Sequence, residues 1–478
     1  MAGMTGSSRY GHMYAPLRIP NFRMFITGQT ISTIGTLVQM TAQSWVVYQL
    51  THSPAALGWV TMLGSLPMLL LGPFAGSIAD RVPRRTLLIG TQAILGSLAA
   101  ILAILVQTDV IQIWHIYVLA VITGIVTAID MPALQAFAAD LTGTAMIRQA
   151  VTLNSMAFQL ARIVGPSLAG LLIGYFGTAT AFWVNALSFV AVIVALARVR
   201  FTDNAATQPT ARPGASTHGA ARSKGGPLEA ISYVRSQPMM IDLYLFLMLF
   251  VFFVFSTMTV MPAFVAEVLQ GDARVLGLLG GISGAGSMTV TLLILPVVHN
   301  VRRTGIMVSG ALIWFGTMLM IMTSIANPSV SEVIRRVGDY LGISEPVVVT
   351  AAVFGYLQGM AGPLVMTTSM GLLQQMSPQA MRARLLGLSS MITFGLQPFS
   401  GLLVGYSGEH LGPANALWIN GFLLVSCTAC LLVFRSSVRS EAPRPVSPPS
   451  TTPLVTSGVV ERHEVPATAS VVAGASAS

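Results

Sequence analysis

Twelve apolar runs fill most of the sequence, at 22–48, 55–79, 86–107, 113–137, 149–175, 179–199, 239–266, 275–298, 305–326, 347–373, 385–407 and 413–434. A helix rises about 1.5 Å per residue, so roughly 20 apolar residues cross the hydrocarbon of a bilayer. Inside lipid the backbone can bond only to itself, which makes each such run a helix rather than a loop or an open sheet. Charged residues are 9% of the 478-residue chain, whereas a soluble domain carries about 25%. So little charge cannot cover a water-facing surface. The chain reads as an all-α, multi-pass membrane protein.

The runs form two sets of six. Between them, residues 201–227 are rich in Ala, Thr, Pro, Gly and Ser and hold the only lysine, Lys224. That composition predicts a disordered linker, followed by a short helix over Leu228–Arg235. The expected division is an amino-terminal tail 1–21, a six-helix half 22–200, a linker 201–238, a second half 239–434 and a disordered tail 435–478. Cytoplasmic loops carry an excess of Lys and Arg. A cytoplasmic amino terminus puts 21 of the 25 basic residues inside, leaving Arg274, Arg335 and Arg336 outside and Arg162 within a span. Both termini are therefore expected in the cytoplasm of a cell-membrane protein.

Other classes fit poorly. The net charge of +9 is scattered over span ends, without the basic, aromatic-interleaved stripe that nucleic acid requires. Cys427 and Cys430 lie inside the last run and read as packing residues rather than a redox pair. Residues 1–20 are polar and the first run is too long for a signal peptide's apolar region, so no cleavable signal is expected. No cluster of acids or histidines suggests a metal, a cofactor or enzyme chemistry. In the longest outer loop, 328–346, Val330, Val333, Ile334, Val337 and Leu341 recur at helical spacing, with Glu332/Arg336 and Arg335/Asp339 four apart. This predicts a short helix on the outer surface.

The two sets resemble each other. Pro166-Ser-Leu-Ala-Gly-Leu-Leu-Ile-Gly-Tyr-Phe-Gly177 matches Pro398-Phe-Ser-Gly-Leu-Leu-Val-Gly-Tyr-Ser-Gly408, and Phe182-Trp183-Val-Asn185-Ala matches Leu417-Trp418-Ile-Asn420-Gly. Upstream, Leu153-Asn-Ser-Met156 faces Leu388-Ser-Ser-Met391. A parallel repeat of six-helix halves is an architecture of transporters whose site lies between the halves.

Between runs 2 and 3 the chain reads Gly72-Pro-Phe-Ala-Gly76-Ser-Ile-Ala-Asp80-Arg81-Val-Pro83-Arg84-Arg85. This resembles the loop 2–3 signature of the major facilitator superfamily, Gly-x-x-x-Asp-Arg-x-Gly-Arg-Arg/Lys, with Pro83 in place of the second glycine. Tyr48–Gly58, Met131–Gln135, Asn154-Ser155 with Arg162 and Gly165-Pro166, and Glu229–Arg235 resemble the branch of enterobactin-exporter-like and macrolide-efflux proteins. The resemblance implies twelve transmembrane helices in two six-helix halves around a central cavity, working by alternating access. Two departures stand out. The second-half counterpart, Leu295–Arg303, lacks the acid, and span 1 (Thr36, Gln39, Gln43) lacks a charge often found there.

By the resemblance, Gly76, Asp80, Arg81, Arg84, Arg85 and Asp140 form a breakable inner gate. Asp80 would cap the start of span 11 near Leu386–Ser389, and Asp140 would pair with Arg81 or Arg84. The alternative is that these are solvated turn charges. Within the spans charge is costly and so informative. Asp130 and Arg162 are candidates for a buried pair, or for a site taking an anionic substrate or a coupling proton. Gln39, Gln43, Gln159, Gln358 and Gln397 either line a cavity or join helices. The expected function is proton-coupled efflux of a small, partly apolar compound such as a drug or siderophore-like metabolite. A solute uptake permease and a non-transporting receptor or assembly factor are the alternatives. Expected partners are that small molecule, protons and the lipid bilayer, with no nucleic acid, no cofactor and a monomeric unit.

Overall fold

The computed structural model describes residues 15–79, 82–199, 227–295, 303–378 and 381–440, all within one compact unit of residues 1–443. Long helices follow one another in order: α1 (Pro20–Thr51), α2 (Pro54–Ala79), α3 (Arg84–Gln107), α4 (Ile113–Gly143), α5 (Met156–Phe176) and α6 (Thr178–Arg198). Then come α7 (Pro238–Glu267), α8 (Ala273–Ile294), α9 (Thr304–Ala326), α10 (Pro346–Met376), α11 (Arg382–Leu411) and α12 (Pro413–Phe434). Among the described residues there is no strand.

Eleven of these, α2 to α12, are long and apolar enough to cross a membrane. At 32 residues α1 is as long as any of them, but Gln29, Thr33, Thr36, Gln39 and Gln43 lower its apolarity. The chain from Ile113 to Phe176 is helical except at Gly143 (φ 68°, ψ 169°), which ends α4 and starts the limb that becomes α5. Only glycine enters that backbone region cheaply. The linker helix runs Pro227–Ser236 and the surface helix Pro328–Leu341. Asn327 caps the latter by accepting from the Ser329 amide at 3.0 Å, and Gly342 ends it in the left-handed region at φ 70°. Glu332 and Arg336 pair along its exposed side.

The two sets of six pack alike. In the first, Asn185 of α6 donates to Gln39 of α1 at 2.7 Å; in the second, Asn420 of α12 donates to the Phe253 carbonyl and the Thr257 hydroxyl of α7, at 2.7 and 3.1 Å. The Phe253 carbonyl is available because Phe250–Phe255 is a π-helical turn, which shifts the backbone ladder by one residue. Gly96 of α3 abuts Ala186 and Phe189 of α6, as Gly316 of α9 abuts Gly421 and Val425 of α12.

The turn glycines show the true register of the repeat. Gly177 (φ 85°, ψ 163°) opens α6 and Gly412 (φ 80°, ψ 151°) opens α12, each eight residues before its asparagine. The Trp183/Trp418 and Asn185/Asn420 matches keep this offset. The Pro166–Gly177 match to Pro398–Gly408 does not; it slips by about one helical turn. Glycines recur on the same helix face every three or four residues, so a slip of one turn preserves the pattern while misplacing each member.

Candidate functional site

Each half gathers one set of helix ends. Phe22 and Phe25 of α1 pack with Leu88, Phe137 and Leu196, while Arg435 at the end of α12 bonds Asp242 and the Pro238 carbonyl in the first turn of α7. These ends, which include both described ends of the chain, form the terminal face. The opposite ends form the far face. The seam between the halves runs from one face to the other.

At the far face the seam is shut. A methyl group on Gly277 of α8 would lie 2.6 Å from the Cα of Gly170 on α5, and one on Gly405 of α11 would lie 2.7 Å from the Pro54 carbonyl of α2. Only glycine permits such backbone approach, which gives close van der Waals packing between spans. Polar latches cross the same end. The Tyr48 hydroxyl of α1 donates to Glu267 of α7 at 2.7 Å. Ser53 donates to Glu409 of α11 at 2.6 Å, with the Ala55 amide at 3.4 Å. Arg274 of α8 donates to the Gly174 carbonyl at 2.5 Å and lies 4.6 Å above the Tyr175 ring.

Toward the terminal face the seam parts. Leu69 of α2 still approaches Gly395 of α11, but Gly72 and Gly387, the next turns along, have no neighbour within reach of a methyl group. On the limb leading into α5, Asn154 and Phe158 are exposed. The polar links at this end stay within a half. Arg84 Nη1 donates to both oxygens of Asp140 at 2.8 Å, joining the start of α3 to the end of α4. Arg85 donates to the carbonyls of Leu196 (2.9 Å) and Ala197 (2.6 Å) of α6. The start of α11 is held by Tyr244 of its own half, which donates to the Leu385 carbonyl at 2.8 Å. Asp80 and Arg81 lie outside the described residues, and Gly76 sits in the last turns of α2.

The two intramembrane charges do not meet. Asp130 is buried and accepts from Thr91 at 2.5 Å and from Gln92 at 3.0 and 3.1 Å, both on α3. Its helix turns it toward its own neighbour, away from α5. Arg162 makes neither an ion pair nor a side-chain hydrogen bond among the described residues. The glutamines divide. Gln39 joins α1 to α6, and Gln358 is buried with its Nε2 unpartnered among the described residues. Gln43, Gln159 and Gln397 are half-buried.

Sequence reading missed the far-face latches and the Thr91–Gln92 cradle. A signal for the former was present. Glu267 and Glu409 end apolar runs on the side poor in positive charge, where orientation gives them no role. Nothing local in sequence marks Thr91 and Gln92, which acquire their role by facing Asp130 across two helices.

A family model described as "Transmembrane secretion effector" matches residues 11–464. Curated relatives include the staphyloferrin A transporter of Staphylococcus aureus (30% identical over 36% of this chain) and macrolide efflux protein A of Streptococcus pyogenes (25% over 36%). The multidrug efflux pump Tap of Mycolicibacterium fortuitum is 28% identical over 35%. The matched segments span 44%, 43% and 42% of those relatives' own lengths. The fold is similar to that of the nucleoside transporter NupG (TM-score 0.63, 12% identity, covering 86% of this chain and 98% of that one). It is also similar to a D-xylose-proton symporter (TM-score 0.58, 14% identity, 87% and 99%). A family match over nearly the whole chain, with the fold of these transporters, makes this protein a membrane transporter of the major facilitator superfamily, in its transmembrane secretion effector family.

Proposed function

We propose that the protein exports a small, partly apolar compound by alternating access, driven by protons, with the terminal face in the cytoplasm. One observation carries the reading. The seam between the six-helix halves 22–200 and 239–434 is latched across the halves at the far face and parted at the terminal face. In this arrangement a cargo would reach the seam from the cytoplasm. Closing the terminal face while the far-face latches break would release it outside. The concentration of basic residues at the terminal ends supports the orientation, and the relatives named for macrolide and multidrug efflux support export.

The gate that closes the terminal face is proposed to use Gly76, Asp80, Arg81, Arg84, Arg85 and Asp140. Arg84 and Asp140 already hold α3 against α4, and Asp80 is proposed to reach the amide donors at the start of α11 when the halves close. An anion at a helix amino terminus gains about 0.3–1 kcal/mol, a contact weak enough to break in each cycle. For coupling, Asp130 is the acid deepest in the spans. Asp242 is engaged with Arg435, whereas Asp130 has only neutral donors around it.

Proteoliposomes test both parts. With the lumen acidic, molecules whose terminal face points outward should accumulate a transported macrolide or iron chelator, and Asp130→Asn should abolish the dependence on the gradient. Flux of equal size with and without the gradient would contradict proton coupling.

A further inference from the structure

We infer that Arg162 is the anchor for an anionic group on the cargo, so that the transported compound carries a carboxylate or similar anion beside its apolar part; this rests on the transport reading above. The first ground is an inventory of charge. Of the 16 acidic residues, only Asp130 and Asp242 lie inside apolar runs. Asp130 is held by Thr91 and Gln92, and Asp242 by Arg435. Arg162 is therefore left without an acid at membrane depth. A charge there is costly unless paired or wetted, and a guanidinium offers a planar fork of donors that fits a carboxylate in two places at once.

The second ground is position. Successive helix residues turn by about 100°. Ile163, Pro166 and Gly170 form the face of α5 that meets Gly284, Gly280 and Gly277 of α8 across the seam, and Gly165 meets Leu37 and Ile34 of α1 in the same half. Arg162 falls between these two faces. Leu160 and Leu171, 45% and 54% exposed, occupy the opposite, lipid-facing side. One and two turns toward the terminal face, in line with Arg162, Phe158 and Asn154 are exposed where the seam opens. Arg162 thus sits at the closed end of the opening, directly below the glycine contacts that seal the far face.

The third ground is what surrounds it. Opposite the α5-facing side, α1 turns the arc of Thr33, Thr36, Met40 and Gln43 toward the seam. Gly35 and Gln39, on its other side, are taken up by Ser188 and Asn185 of α6. Hydroxyls, an amide, a thioether and the Phe158 ring suit a molecule with apolar and hydrogen-bonding parts, while Arg162 supplies the only charge. A cationic amphiphile would meet repulsion there.

Three matched probes test this on the purified full-length protein in lipid nanodiscs: dansylglycine, dansylglycinamide and dansylethylenediamine, which share a fluorophore and differ in charge. Dansyl emission rises in an apolar site. The carboxylate should bind about tenfold or more tighter than the amide, and the ammonium weakest, because a charge-assisted contact is made in one case only. Arg162→Gln should erase the preference and Arg162→Lys should keep part of it. Equal binding of all three by the wild-type protein, no binding of the carboxylate, or a preference unchanged in Arg162→Gln would each overturn the inference. The wild-type comparison decides the matter even where Arg162→Gln fails to fold. Binding is read without transport, so loss of charge preference with intact flux refutes this inference alone, whereas preference without vectorial flux refutes the transport reading.

Discussion

Tyr48 is buried at the far end of α1, and its hydroxyl donates to a carboxylate in the other half. Tyr48→Phe removes that bond while keeping the ring. Glu267 is exposed and regains water, so the loss should be about 1 kcal/mol, a roughly fivefold shift toward a parted far face. Spin labels at Leu50 and Leu411, exposed on opposite halves, would report it as a larger population of long distances. Arg435 presents the opposite case. Its partner Asp242 is almost fully buried, and Arg435→Gln strands a carboxylate. The expected cost is about 3 kcal/mol in thermal or denaturant unfolding, largely recovered on adding Asp242→Asn. Single residues were the least legible part of the sequence. Asp130 and Arg162 stood out because charge inside an apolar run is expensive, yet their partners depend on which way each helix is turned. One-dimensional spacing gives depth, not direction.

Helices were far easier to read. The apolar runs, the surface helix and the linker helix all appear close to their expected bounds, because lipid leaves a long apolar run no other backbone solution. The limits of that logic show at α1. Its polar arc, the feature that sets it apart from the other eleven helices, is what a seam-lining helix needs. The repeat was legible as a repeat but misregistered by a turn where small residues recur, and the backbone at Gly177 and Gly412 corrects it. Those small residues carry the next prediction. A side chain on Gly277 meets the Gly170 backbone, which cannot yield locally. Gly277→Val should hold the far face apart and cut transport by an order of magnitude or more, about 1.4 kcal/mol, while leaving the helices folded by circular dichroism. Gly310, with open space around it, should accept alanine without effect.

At the scale of the whole molecule, two six-helix units meet along one seam. All the cross-half hydrogen bonds described above gather at one end of it. The terminal-end ion pairs Arg84–Asp140 and Arg435–Asp242 brace each half internally, as expected of rigid bodies that rock rather than helices that slide. This asymmetry was invisible in sequence, where the basic signature at the terminal end drew attention away from the acids at the other.

The most direct test measures both ends of the seam in one preparation. Double electron–electron resonance between labels at Leu50 and Leu411 reports the far face, and between labels at Val82 and Ile306 the terminal face, each in a Cys427→Ser, Cys430→Ser background. Destabilising the far-face closure by Tyr48→Phe or Gly277→Val should lengthen the first distance and shorten the second together. A far face that opens while the terminal distance stays fixed or also lengthens would contradict alternating access by rocking of the halves.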